Sequence, residues 1–414
     1  MADAVPTPPT TIWKERDYLC FWASRFGGSL GVSIESVAIG WQIYALARRS
    51  LDVEHSAFLV GMVGLSAFAP LFLLALPAGE AADRYNRKTI LKLTYGSEAI
   101  VAASLAMLSH LHLVSTNLLL AAAFVFGASR AFMQPAQNAL APNLVPRALL
   151  PRSIAWNSLA GQTARIFGPA LGGVLVGISP TLAYGTAAGL YVVALLANFA
   201  IVRNAPPVVH TASRMALIKE GLVYVWENKI VFGAISLDLF AVLLGGATAL
   251  LPVFARDVLH VGASGFGLLR TGPALGATIT GLLLASRPIR HRAGLTMFAG
   301  VAVYGAATIV FGLSRSLWLS IAALAVLGAA DMLSVFVRQT LVQLVTPDAM
   351  RGRVGAVSTL FVGASNELGE FESGVVARFL GPIGAAIFGG VGALIVTGVW
   401  AKLFPALRKA DRLT

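Results

Sequence analysis

Twelve runs of mostly apolar residues, separated by short charged loops, constrain this chain more than any other feature. They lie near 18–47, 56–78, 89–109, 117–141, 153–178, 181–202, 229–252, 264–286, 294–314, 317–340, 353–377 and 383–404. A helix needs about 20 such residues to cross the hydrocarbon core of a bilayer. In that medium every backbone N–H and C=O must be paired within the protein, which leaves helices and closed barrels. The runs are continuous rather than alternating, which excludes a barrel. The expected fold class is therefore an all-α membrane protein with twelve transmembrane helices. Composition agrees: only 12% of the 414 residues are charged, against about 25% in soluble domains. The 42 glycines suit helices packed closely in lipid.

The net charge of +12 raises nucleic acid as a partner. The placement of the charges excludes it, because the basic residues sit in short loops between apolar runs. If the N-terminus is inside, the inner loops and termini hold 21 lysines and arginines and the outer loops only five, namely Arg48, Arg49, Arg256, Arg315 and Arg378. This imbalance predicts a multi-pass protein of the plasma (inner) membrane with both termini cytoplasmic. Residues 1–11 lack the pattern of a cleaved signal peptide. Cys20 is the sole cysteine, so no intramolecular disulfide is possible, and no Cys/His cluster offers a metal site. No cofactor is expected, and no nucleophile–base constellation points to an enzyme.

The longest connection follows the sixth run. Within it Met215, Ile218, Leu222 and Val225 recur at helical spacing opposite Lys219, Glu220 and Glu227. This predicts an amphipathic helix on the inner surface, in a cytoplasmic linker 204–228 between six-helix bundles 1–203 and 229–414. The halves read as copies. Leu144-Val145-Pro146 with Leu149 and Arg152 recurs, about 200 residues on, as Leu344-Val345-Thr346-Pro347 with Met350 and Arg353. Pseudo-symmetric repeats with a site between them are the architecture of secondary transporters.

Several motifs carry a family resemblance. Gly79-Glu80-Ala81-Ala82-Asp83-Arg84-Tyr85-Asn86-Arg87-Lys88, between the second and third runs, resembles the signature loop of the major facilitator superfamily. Arg130 with Gln134 resembles its Arg-x-x-x-Gln variant in helix 4. Gly168-Pro169-Ala170-Leu171-Gly172-Gly173 resembles the Gly-Pro motif associated with antiporters. Pro347 to Arg353 and Asn366-Glu367-Leu368-Gly369-Glu370 are similar to the branch of enterobactin exporters and macrolide efflux pumps, the transmembrane secretion effectors. The chain departs from the pattern at Asn86, where the loop usually has glycine. It departs again at Arg287-Pro288-Ile289-Arg290-His291-Arg292, the matching loop of the second half, which has no acid.

The resemblance implies the major facilitator fold, in which helices 1, 4, 7 and 10 line a central cavity. That puts Glu35, Arg130, Asp238 and Asp331 around one pathway, with Gln134 on the stripe of Arg130. A charge at a helix centre costs about 2.5–3.5 kcal/mol on insertion scales, so it faces a cavity or a partner. Glu367 and Glu370, three apart, share a face, and two such close acids do not both ionise readily. They suit a proton carrier, or one of them is neutralised by Arg165. Arg25 is a further intramembrane charge. Glu98 reads as packing, and Arg270 as a side chain that snorkels to the outer surface. The loop implies an inner gate: Gly79, Asp83, Arg84, Arg87 and Lys88 would latch near Arg351 and Arg353 at the start of helix 11, where the helix dipole favours an acid. Gly168, Pro169, Gly172 and Gly173 form a helix-packing motif.

The expected function is secondary active transport by alternating access. The resemblance implies export of a small organic molecule, a siderophore or drug-like compound, in exchange for protons. The expected partners are the substrate, protons and the lipid bilayer, with the protein working as a monomer. A cavity lined by Phe and Trp with few charges would suit amphipathic compounds. Uptake by symport is the alternative among transporters, and a non-transporting sensor or assembly factor the alternative of another class.

Overall fold

The computed structural model describes residues 11–411, apart from 204–213, 288 and 290. Long helices dominate: α1 (Arg16–Ala47), α2 (Val53–Arg84), α3 (Arg87–His110), α4 (Thr116–Leu140), α5 (Leu150–Ile178), α6 (Pro180–Phe199), α7 (Arg214–Glu227), α8 (Lys229–Leu244), α9 (Gly262–Ser286), α10 (Ala293–Leu313), α11 (Leu317–Val345) and α12 (Asp348–Leu403). Ten of the described helices are long and apolar enough to cross a membrane. The helix α5, with Arg152 and Arg165 in its 29 residues, is not among the ten. The surface suits lipid: Trp318, Phe379 and Leu73 are each at least 70% exposed, which water would penalise and hydrocarbon does not.

Local chemistry sets the helix ends. Asp52 starts α2 by accepting the His55 backbone N–H at 2.7 Å, and that bond holds its carboxyl below the usual range. Asn86 and Asn228 cap α3 and α8 in the same way. The 56-residue α12 contains a break at Gly381, with φ 72° and ψ 168°, followed by Pro382. Packing shows that the chain turns back there. Before the break, Val354 and Val357 cluster with Val231 and Ile235 of α8, and Gly369 meets Val242. After it, Gly389 meets Leu244, Trp400 donates to Ser236, and Phe404 packs on Gly233. The chain thus runs up α8 and down it again.

The end of the molecule where α1 begins is termed proximal, the end where α1 finishes distal. On one side α1 packs against α5 and α6, α3 against α4 and α6, and α2 against α4. On the other, α11 packs against α9 and α10, and α12 against α8 and α10. The sides meet where α2 lies on α12 and α5 on α9. Of residues 204–228, the structure describes Asn228 and, before it, α7. It docks on the second side through Gly221 against Arg353, a Tyr224 hydroxyl donated to the Val345 carbonyl at 3.0 Å, and buried Val225. Leu222, expected on the apolar face, is 41% exposed. The side chains of Met215 and Ile218 lie outside the described residues.

Candidate functional site

A cavity of about 610 Å³ lies between the two sides. Its wall draws on α1 (Arg25 to Ser36), α4 (Phe126 to Gln137), α5 (Gly161 to Pro169), α9 (Arg270 to Ala277), α11 (Leu327 to Asp331) and α12 (Asn366, Glu370). Tyr304 of α10 joins it, and Val242, Gly246 and Thr248 complete it from the segment where α8 ends. There the chain passes through Gly245-Gly246 into short 3₁₀ and π turns. Non-helical backbone at this depth is tolerated because it is enclosed by protein and lines a cavity. Tyr304 steadies it by donating to the Gly245 carbonyl at 2.9 Å.

Of the expected pathway residues, Arg130, Gln134, Asp331 and Glu370 line this cavity. Glu367 lines an adjoining pocket of about 220 Å³ that shares Ser36, Phe126, Arg130, Arg270 and Glu370. Arg130 pairs with Glu367 at 2.9 Å. Arg270 does not snorkel outward. It donates to Ser36 Oγ at 2.8 Å, lines the cavity, and lies within electrostatic reach of Glu370 and Glu367. Arg165, weighed as the partner of one of those acids, makes no ion pair among the described residues.

Two expected residues lie behind the wall. Glu35 is fully buried and accepts the Tyr191 hydroxyl of α6 at 2.7 Å. Its neighbour in sequence, Ser36, faces the cavity instead. Glu98 of α3 is also buried, within electrostatic reach of Glu35. Asp238 pairs with Arg338 at 3.3 Å, both side chains nearly inaccessible. A void of about 10 Å³ links Asp238 to Asp331, a space on the scale of one water molecule.

The gate residues divide. Arg87, itself buried, donates to the carbonyls of Ala82 and Ala139 at 3.1 and 3.3 Å. Lys88 donates to Ile201 and Val202 carbonyls at 3.0 and 3.2 Å. These cations thus satisfy helix C-termini at the proximal end. Arg84 pairs with Glu80 at 2.7 Å, and Arg353 with Glu220 of α7. Arg351 Nε donates to the Gln343 carbonyl at 3.0 Å. Asp83 and buried Gly79 lie in the last turns of α2, which packs on α12.

The distal end is closed between the two sides. Asp257 accepts the Tyr44 hydroxyl and pairs with Arg48 at 3.4 Å. A methyl on Gly173 would fall 2.5 Å from Gly267 Cα, and one on Gly61 2.7 Å from Gly374 Cα. The Gly-Pro motif serves two neighbours: Gly168 and Gly172 take α1 at Ser33 and Ile34, while Gly173 takes α9.

The expected aromatic lining is corrected. Phe126 is in the wall but no tryptophan is, whereas Arg25, Arg130, Arg165 and Arg270 all are. Spacing could have indicated Arg165, which lies one turn before Pro169 on the same face.

Residues 11–413 match the family described as transmembrane secretion effector. The chain is 26% identical to the enterobactin exporter EntS of Citrobacter koseri over 341 residues, covering 81% of this chain and 79% of that one. It is 26% identical to the staphyloferrin A transporter of Staphylococcus aureus over 270 residues, 64% of this chain and 66% of the transporter. Its fold is similar to the POT family transporter PepTSo (TM-score 0.74, 13% identity, 98% and 100% covered) and to a D-xylose–proton symporter (TM-score 0.72, 12% identity, 94% and 99% covered).

Proposed function

The chain belongs to the transmembrane secretion effectors of the major facilitator superfamily, and from that premise we propose that it exports a small organic chelator or drug-like molecule in exchange for protons. It is a secondary transporter of the membrane rather than an enzyme. The observation that carries the reading is the arginine-lined cavity between two helix groups whose distal end is closed.

Twelve crossings follow from the ten candidate spans if α12 counts as two at Gly381 and α5 is added. They form bundles 1–203 and 229–414 joined by the linker 204–228. The excess of basic residues at the proximal end supports cytoplasmic termini in the inner membrane. The sealed distal end is then extracellular. Substrate meets Arg130, Gln134, Glu367 and Glu370 in the cavity. Protons reach Asp331 from the cavity and Asp238 through the small void behind it, while Glu35 takes part from the other bundle. Asp83 latches the proximal gate against the start of α12, near Arg351 and Arg353. Gly79 allows the close approach, and Arg84, Arg87 and Lys88 hold the surrounding helix ends. The protein works as a monomer.

Inside-out vesicles with an acidic interior test this. Protons leave down their gradient, so an exporter should accumulate catecholate or hydroxycarboxylate chelators inside, and a protonophore should abolish the accumulation. Asp331→Asn should abolish it too, with the protein still folded. Accumulation indifferent to the gradient would sink the coupling, and accumulation only in right-side-out vesicles would replace export by uptake.

A further inference from the structure

We propose that the wall formed by α1 and α5 is an anion-binding site, with Arg25 and Arg165 as its guanidinium donors, and that the transported molecule carries carboxylate oxygens. The inference rests on the reading of the cavity as the substrate path.

Arg25 and Arg165 both line the cavity. The other two arginines there are engaged: Arg130 with Glu367, and Arg270 with Ser36 beside Glu370. Arg25 and Arg165 have neither an ion pair nor a side-chain hydrogen bond among the described residues. The phenols of Tyr95 and Tyr18 act electrostatically on Arg25, and neither is ionised at neutral pH. The cavity's own acids, Asp331 and Glu370, sit on the opposite wall, on α11 and α12. The two unpaired cations therefore lie on one bundle and the acids on the other.

An arginine is costly within a membrane-spanning helix and is kept there for a partner or a pathway. Its planar fork matches carboxylates and other paired oxygens bidentately. Ser29 of α1 and Gln134 of α4, which also line the cavity, add neutral donors. An anion seated there also competes with Glu367 for Arg130, whose ion pair ties α4 to α12 across the cavity. Binding and loosening of the two bundles are thereby linked at a single guanidinium.

The wild type and the Arg25→Gln/Arg165→Gln variant, in phosphatidylcholine nanodiscs, would be titrated calorimetrically with citrate and 2,3-dihydroxybenzoate, and with their neutral amides. Both anions should bind the wild type and the amides at least tenfold more weakly. The glutamine pair should lose roughly ten- to hundredfold in affinity, the range of a charged hydrogen bond. The Arg25→Lys/Arg165→Lys pair keeps charge without the fork and should fall between, which guards against a misfolded glutamine variant. Equal affinity for the amides, no anion bound to the wild type, or undiminished binding by the glutamine pair would each overturn the site. If no anion binds while proton-driven efflux of a cationic dye persists in the glutamine pair, the site falls and export stands. If anions bind but never cross a vesicle membrane, export falls and the site stands.

Discussion

Arg338 and Asp238 show how much one charge depends on another in this interior. Both are nearly inaccessible and pair at 3.3 Å. Arg338→Leu leaves a buried carboxylate without its partner and should destabilise the protein by about 3–5 kcal/mol. Adding Asp238→Asn should recover most of that loss, since a neutral amide needs no counter-charge. Thermal unfolding in detergent checks both, and a single variant as stable as the wild type would show that Asp238 is neutral when paired. The intramembrane charges were all legible in the sequence, because an acid or an arginine inside an apolar run stands out. Their partners were not. Helical spacing relates residues on one helix to each other but does not say how that helix is rotated in the bundle. Glu35 and Ser36 differ by one position, about 100° of turn. Ser36 faces the cavity, while Glu35 faces Tyr191. Where α1 is apolar on most sides, no periodicity distinguishes the two orientations. Arg130 with Glu367 illustrates the same limit across helices, since spacing along α4 does not say which residue of α12 meets it.

Elements were more legible than partners, because a crossing helix has to be continuous and apolar. The Gly168 to Gly173 segment announced close packing, and the structure divides it between α1 and α9. Sequence could not reveal that division, which depends on what the neighbouring helix offers. Gly173 and Gly267 approach so closely that any side chain would force α5 and α9 apart. Gly173→Leu should therefore disfavour the closed distal end by roughly 1–3 kcal/mol, about tenfold or more in population. The buried Ala263, whose carbonyl a methyl on Gly173 would approach to 2.8 Å, reports this when changed to cysteine in a Cys20→Ser background. Its labelling by an impermeant maleimide should rise about tenfold in the Gly173→Leu variant. Unchanged labelling would mean that α5 and α9 are not what closes this end. The linker helix carries a smaller lesson. The docking face of α7 is Gly221, Tyr224 and Val225, since backbone approach at glycine counts for more there than the apolar character of Leu222.

At the scale of the whole molecule, the fold followed from the medium, but the resting balance between its two ends did not. The loop from Gly79 to Lys88 pointed to one proximal latch, since its counterpart from Arg287 to Arg292 lacks an acid. Nothing in the sequence singled out a distal counterpart. The structure supplies one in Asp257, which accepts from Tyr44 and pairs with Arg48 across the two sides. The two ends then oppose each other, because alternating access requires that closing one frees the other. Asp257→Asn should weaken the distal contact by about 1.5–3 kcal/mol, the scale of a charged hydrogen bond, and raise the distal-open population about tenfold or more. Asp83→Asn should push the same equilibrium the other way and slow the transport cycle, with substrate affinity nearly unchanged. Combined, the two changes should largely cancel in population while leaving both open states easier to reach. Distances between spin-label pairs placed across each end, read in the two single variants and the double, decide the matter. If both single variants open the same end, Asp83 does not latch the proximal gate.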